Sequence, residues 1–282
     1  MNARSWMVAL GLVGSLASAH AEDQVTVEVT STGTGAKRVL AYAVPAGTTQ
    51  APSLGMTLKS TTQMMGQQVA FELPELTAKL EVSAGAPQAK GTPISVTYSS
   101  VAFASRPTGL GAMVGGPLEA SLQGAKASLV LAADGRARDL EVKMASAIGQ
   151  DGAEAVDLER WFVPLPTVPL GQGAVWKAHV VGTAPNGLEI TVDTTYTLTD
   201  LSETGATLAL VLESAAAPGT MDTKGMKAKV TSSTTSGTGT QTLRFDRPMP
   251  LSARLELTSK MDLLVQGMAT TQTSEIVLTV GE

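Results

Sequence analysis

The chain has 282 residues, of which 43% are hydrophobic and 16% charged, and its mean hydropathy is +0.14. These values exclude a wholly disordered chain, a collagen and a coiled coil. A formal net charge of −5, with no cluster of Lys and Arg, argues against binding to nucleic acid or to an anionic lipid surface. Two histidines and no cysteine leave few combinations for catalysis or metal binding. We therefore expect no enzyme activity, no catalytic residue, no cofactor and no metal site.

Residues 1–21 have the pattern of a signal peptide. Arg4 is their only charged residue, residues 6–16 are apolar, and Ala19 and Ala21 provide the small side chains of a cleavage site. We expect cleavage before Glu22 and export to the periplasm or the exterior of a bacterium. The apolar run of roughly 11 to 14 residues is shorter than the ~20 that span a bilayer as a helix. No later segment is continuously apolar, so no integral membrane segment is predicted.

Most of the remaining chain alternates between apolar and polar residues with a period of two, which predicts β-strands. From Leu188 to Leu198 the even-numbered residues are mainly apolar and the odd-numbered ones polar, and residues 254–263 show the same alternation. Asp134 and Gly135 separate two such runs and predict a hairpin. We expect about a dozen strands, joined by short loops and therefore antiparallel.

One segment, 151–162, has the composition of a short helix, with acidic residues at its start and Pro164 after its end. The prolines and glycines that follow predict a stiff connector. We interpret residues 22–282 as a single β-rich domain. A division into two halves, 22–150 and 168–282, joined by the helix and the connector, remains an alternative.

A single short helix cannot cover the apolar face of so many strands. We therefore predict a mainly β fold, a large curved antiparallel sheet or half-barrel of about a dozen strands with one short helix, which would suit a carrier of lipid or another amphipathic ligand. The first alternative is a β-sandwich acting as a structural or interaction module. An outer-membrane barrel is a further alternative, but an aromatic content of 4% is too low for its aromatic girdles. The oligomeric state stays open.

Two stretches are candidates for binding a ligand. The Gly-rich segment 109–116 places Leu110, Met113 and Val114 on an apolar flap at the mouth of a cavity, or else in an ordinary long loop. The predicted inner face of the 188–198 strand offers a second set as the cavity wall, namely Ile190, Val192 and Tyr196. His179 is a weak candidate for a Ser-His-Asp hydrolase, because no Gly-x-Ser-x-Gly motif accompanies it. Four acids could supply the carboxylate pair of a glycosidase, but acids at a helix N-terminus more often form a solvated face; they are Asp151, Glu154, Asp157 and Glu159.

The last 120 or so residues contain several short motifs, at 166–176 (PTVPLGQGAVW), 237–239 (GTG), 243–246 (LRFD) and 250–252 (PLS). In these motifs the chain resembles a group of uncharacterised exported proteins of bacterial envelopes. The resemblance implies an envelope location and no functional residues. In architecture alone, one-sided strands with a small helix look like the half-barrel lipoprotein carriers of the LolA and LppX kind. That likeness implies a lipid or a lipoprotein as ligand.

Overall fold

The computed structural model describes residues 24–144, 158–183, 187–223 and 226–281. The elements are β1 (Gln24–Ser31), β2 (Thr34–Arg38), β3 (Thr49–Gln50), β4 (Ser53–Met64), β5 (Gln67–Ala84), β6 (Thr92–Phe103), α1 (Gly109–Leu122), β7 (Lys126–Leu131), β8 (Ala137–Lys143), a 3-10 turn (Glu159–Trp161), β9 (Leu170–Gln172), β10 (Val175–Thr183), β11 (Glu189–Leu201), β12 (Gly205–Ala216), β13 (Gly219–Thr223), β14 (Met226–Arg244), β15 (Ser252–Val265) and β16 (Met268–Gly281).

These strands form one 14-stranded antiparallel sheet and a separate pair, β2 with β9. The main order is β1-β10-β11-β12-β14-β15-β16-β4-β5-β6-β7-β8, with β13 beside β14 and β3 beside β5. The predicted mainly β fold, with a large antiparallel sheet and one short helix, is confirmed. β1 and β8 are the edge strands. Within the main sheet, strands from early and late in the sequence meet twice, where β1 pairs with β10 and β4 with β16.

The strands alternate as the sequence predicts, with one buried side. In β11, Ile190, Thr194, Tyr196 and Leu198 are buried, and the odd-numbered side chains are half-buried or exposed. The cross-strand register aligns these residues with the buried odd-numbered residues of β15. We call this side of the sheet the inner face and the opposite side the outer face. Apolar residues on one side and polar residues on the other are what a sheet with one solvated face requires.

Two consecutive connector residues show that the sheet curls. The carbonyl oxygen of Pro164 accepts a hydrogen bond of 2.9 Å from Trp176 Nε1, on β10 near one edge. The amide of Leu165 donates a bond of 2.8 Å to the carbonyl of Asp134, in the turn between β7 and β8 at the other edge. Adjacent residues can reach both places only if the two edges approach each other at this end. We call it the closed end of the sheet.

Connector segments fill the closed end with apolar side chains. Tyr42 packs edge-on against Phe245, with ring centroids 5.8 Å apart, and both belong to the largest apolar cluster of the protein. Burial raises the pKa of the Tyr42 hydroxyl far above its ordinary value, so this phenol stays neutral. Trp161, Val163 and Leu165 belong to the same cluster. The Pro-rich connector is therefore part of the core at this end.

The position of the helix differs from the prediction. The Gly-rich segment predicted as a flap or loop forms the first part of α1, Gly109–Leu122. Of the predicted helix 151–162, residues 151–157 lie outside the described residues, and the described remainder contains the 3-10 turn Glu159–Trp161.

Glycines permit helix α1 to pack closely against β5, because a Cβ on Gly111 would lie 3.2 Å from the Glu72 carbonyl oxygen. In the described part of the chain, no helix is long and apolar enough to cross a membrane.

Two hairpins turn through similar residue pairs, Met65-Gly66 and Gln266-Gly267. All four residues have positive φ, between 52° and 81°. Asn adopts this left-handed conformation more readily than Met or Gln. We predict that Met65→Asn and Gln266→Asn each stabilise the protein by about 0.5 kcal/mol, measured by urea unfolding. Asn at Gln63, within β4, is the control and should not stabilise; an equal gain there would contradict the turn explanation.

Candidate functional site

The three predicted flap residues lie on α1, which packs against β5 and β6. Val114 packs against an inner-face apolar cluster of β4, β5, β15 and β16. Leu110 is half-buried, and Met113 is 53% exposed. The members of that cluster, which we call the middle apolar row, are Leu58, Leu73, Leu257 and Ile276. The helix thus contributes one side chain to the inner face, in place of the predicted loop.

The three predicted wall residues lie on the inner face of β11, as the alternation predicts, but in two different environments. Ile190 is 3% exposed and packs in a small cluster with Val180, Val192 and Ala216. Tyr196 belongs to the main core and stacks on Trp176, with centroids 5.4 Å apart. Burial raises the pKa of the Tyr196 hydroxyl well above its ordinary value. The structure therefore does not bring the six predicted residues together into one site.

The inner face instead carries polar side chains that cross several strands in register. From β12 to β4, one cross-strand row consists entirely of hydroxyl residues, namely Ser214, Thr235, Ser259, Ser274 and Ser60. Thr235 Oγ1 donates to Ser259 Oγ at 3.1 Å, and the hydroxyl oxygens of Ser60 and Ser274 are 3.1 Å apart. The next rows add Ser233, Gln272, Thr62 and Thr270. We call these nine residues the polar band.

Two buried members of the band have unused hydrogen-bonding capacity. Gln272 is 4% exposed and donates from Nε2 to Ser60 Oγ at 3.2 Å. Within the described part of the chain, its Oε1 has no hydrogen-bond partner, and neither has Oγ1 of Thr270, a residue 3% exposed. A buried polar atom left without a partner costs about 1–3 kcal/mol. Both atoms are inaccessible to solvent in this structure, so a bound molecule would gain hydrogen bonds from them only after the neighbouring side chains move apart.

Apolar residues border the polar band on both sides along the strands. Toward the closed end lies the middle apolar row, which contains Leu257 and Ile276. Toward the opposite end lies a second cluster, which includes Leu263 and Val265 from β15 together with Leu188 and Met221. The inner face therefore presents apolar, polar and apolar surface in succession along the strands. This order matches a molecule that carries a polar group between apolar parts.

The sequence analysis missed the polar band. Its clearest sequence signal is the part of β14 from Ser232 to Thr242, which consists of Ser, Thr, Gly and Gln and is therefore not apolar on either side. Gly237 and Gly239 lie on the inner face, where Leu257 and Leu255 cover them; an added Cβ would come within 2.5 Å of each leucine side chain. Such a strand in the middle of a sheet indicates that the inner face to which it contributes is unusually polar.

The outer face carries the His179 side chain, opposite to the polar band. His179 Nδ1 lies 2.8 Å from Asp193 Oδ1, and Lys177 Nζ lies 3.1 Å from the same oxygen. Partial burial alone would raise the pKa of Asp193, but hydrogen bonds from His179 and Lys177 outweigh it and hold this pKa below its ordinary value. Among the described residues, no group of three His, Cys, Asp or Glu side chains could hold a metal ion.

The lowered pKa predicts how Asp193 affects stability with pH. A carboxylate whose pKa is lower in the folded than in the unfolded state stabilises the protein above the unfolded pKa, and the effect is lost as the pH falls through the folded value. We expect Asp193→Asn to cost about 0.5 kcal/mol at pH 7, because the partners are partly exposed, and progressively less below pH ~4. Urea unfolding between pH 7 and 2 measures this. The cost should shrink in a Lys177→Met background; an unchanged cost would contradict the pairing.

A groove of about 470 Å³ crosses four strands at residues 211–213, 236–238, 256–258 and 275–277. The exposed members of this set belong to outer-face rows and include Glu213, Glu256 and Glu275. Glu256 Oε1 accepts a hydrogen bond of 2.8 Å from Arg254 Nε. The groove is therefore acidic and open to solvent, unlike the neutral inner face.

Comparison with known proteins identifies no family. No family model matches the chain, and no curated protein matches it. Among solved structures, DynF from the dynemicin biosynthesis pathway of Micromonospora chersina aligns over 94% of this chain and 92% of its own, at 9% identity and a TM-score of 0.21. An outer membrane channel from Pseudomonas putida F1 aligns over 85% and 97%, at 8% identity and a TM-score of 0.20. At these TM-scores, neither likeness carries an argument about fold or function.

Proposed function

We propose that this chain is an exported, non-enzymatic protein of the bacterial envelope that binds an amphipathic ligand, such as a lipid, against the inner face of its curved sheet. The observation that carries the proposal is the polar band between two apolar regions, with Gln272 Oε1 and Thr270 Oγ1 buried and unpartnered in the described part of the chain. Gln241 at the filled closed end also has unpartnered amide atoms, so the support comes from the grouping of nine polar side chains across five strands and not from the unpartnered atoms alone.

The exposure of the inner face also supports a ligand. Val180, Val192 and Leu212 point inward but remain half-buried, and so do Ser214 and Thr235 of the polar band. Water therefore reaches part of the inner face between the buried regions. Apolar residues that line a reachable concave surface, together with a few polar groups, are typical of small-molecule sites.

Native mass spectrometry of the protein purified from its own host tests the proposal. We expect a lipid-sized mass to remain bound under gentle conditions and to dissociate on unfolding. Absence of a bound molecule, together with absence of saturable binding to an apolar fluorescent probe, would contradict the ligand.

N-terminal sequencing of the same sample tests export. The sequence should begin at Glu22 or within a residue or two of it, and recovery of intact Met1 would contradict export.

A filled structural or interaction module is the second candidate. The closed end favours it, because Trp176, Leu198 and Leu208 are completely inaccessible to solvent and pack in the largest cluster. The two candidates differ in the half of the sheet that contains the polar band. A filled module requires dense packing there, whereas a carrier requires room for its ligand.

A further inference from the structure

The inner face around the polar band carries no charge. In β4, β10, β11, β12, β15 and β16, and in β14 from Ala228 to Leu243, every described inner-face residue is apolar or an uncharged polar residue. A charged group bound there would lose its hydration without gaining a counter-ion. The charged side chains of these strands, such as Glu213, Glu256 and Glu275, lie on the outer face. The inner face therefore selects against ionised groups.

The unused atoms of the band define the hydrogen bonds it can offer. Gln272 Oε1 is an acceptor, so the group that satisfies it must be a donor, such as a hydroxyl. Thr270 Oγ1 can both donate and accept, so an ester or ether oxygen also suits it. A carboxylate cannot donate to Gln272 Oε1. From Ser274 to Thr270 the band extends about 13 Å along β16, a length suited to a compact polar group.

We propose that the ligand is an uncharged amphiphile of the diacylglycerol type, whose hydroxyl and ester oxygens bind the polar band while its chains cover the apolar regions. This inference rests on the proposed function and specifies the ligand class of the same site. The hydroxyl of such a lipid donates to Gln272 Oε1, and an ester carbonyl accepts from Thr270 Oγ1. The middle apolar row and the cluster containing Leu263 and Val265 are buried in this structure, and their side chains move apart to take the chains on either side.

Three lipids that carry the same NBD fluorophore test the inference by titration of the purified protein. They are a diacylglycerol, the phosphatidic acid with identical chains, and an alkane of matching length. We expect the diacylglycerol to bind at least about tenfold more tightly than either of the others, the factor expected for one good hydrogen bond or one unpaired charge. The Gln272→Met variant should lose about tenfold for the diacylglycerol and keep its affinity for the alkane.

Gln241→Met is the matched control. Gln241 also lies on the inner face, is 1% exposed, and has both amide atoms unpartnered in the described part of the chain. It lies about 26 Å along β14 from Ser233 of the band, so its substitution should leave the preference for diacylglycerol unchanged. Circular dichroism establishes that each variant is folded. If Gln272→Met is not folded, Thr270→Val, which preserves shape, replaces it in the titration.

Each result of the titration has a defined meaning. Tight binding of diacylglycerol that Gln272→Met weakens and Gln241→Met does not would support the inference. Equal binding of all three lipids, stronger binding of phosphatidic acid, or equal effects of the two variants would overturn it and leave the proposed function standing. Absence of saturable binding by every probe would overturn the proposed function itself, and the inference with it.

Discussion

Gly135→Ala should destabilise the protein by about 4 kcal/mol or more, a loss reserved for severe steric and backbone conflicts. Gly135 has φ +78°, and a Cβ built on it would lie 1.9 Å from the carbonyl oxygen of Val163. Because Val163 precedes the two residues that connect the edges of the sheet, the turn cannot move away without separating them. Urea unfolding, or a thermal midpoint if unfolding is irreversible, measures the loss.

Gly47→Ala is the control for the effect of positive φ alone. Gly47 has φ +76°, but its added Cβ would meet no atom within 4 Å. This variant should lose only the cost of the left-handed conformation, about 1–2 kcal/mol. The difference between the two variants isolates the close approach of Gly135 to Val163. If both variants lost the same stability, the turn would not be held against the connector.

Alanine substitutions along β11 should show a steep gradient of stability. Leu198 is 0% exposed in the largest cluster, so Leu198→Ala should cost about 3–5 kcal/mol, as in a filled core. Val192 is half-buried beside the polar band, so Val192→Ala should cost about 1 kcal/mol or less. Ile190, buried in a small cluster, should fall between them. Urea unfolding of the three variants, with an apolar fluorescent probe titrated in parallel, measures both packing and binding.

The same series distinguishes the two candidate functions. A carrier predicts the gradient, saturable binding of the probe to the unmodified protein, and altered binding by Val192→Ala, because that side chain borders the ligand. A filled module predicts a cost of 2 kcal/mol or more at every position, roughly that of a core truncation, and no saturable binding. The second pattern would end the carrier proposal.

The strands could be predicted from sequence because, along each one, apolar residues alternate with polar residues and so distinguish the inner from the outer face. In β11 and β15 the alternation alone identifies the buried side chains, and the Asp134-Gly135 turn appears where the sequence places it. Helix α1 could not be predicted in this way. Its segment contains four glycines and Pro117, all poor helix formers, so its helical state depends on packing against Glu72, Leu73 and Phe103.

The polar band needed information that no single strand contains. Ser60 on β4 and Ser274 on β16 each resemble an isolated exception to an apolar pattern. Only the register between strands, in which these residues are direct partners, shows that such exceptions include one continuous row of hydroxyl side chains. The six residues proposed from the sequence were chosen for their apolar character, whereas the atoms that lack hydrogen-bond partners belong to polar side chains. The sequence prediction therefore found the correct face of β11 but not the group of residues most suited to a ligand.

The pairing of β4 with β16 has a consequence for the order of folding. Ser60 and Ser274 are hydrogen-bonded partners although 214 positions separate them. By contrast, β4 to β8 and β10 to β12 pair mainly with sequence neighbours, which assemble quickly because short loops close at little entropic cost. We expect these neighbouring sets to form first and the β4 to β16 seam to join last. If the chain is exported as proposed, β4 keeps one edge unpaired until β16 has crossed the membrane, and the two strands at one end of the polar band are then the last to pair.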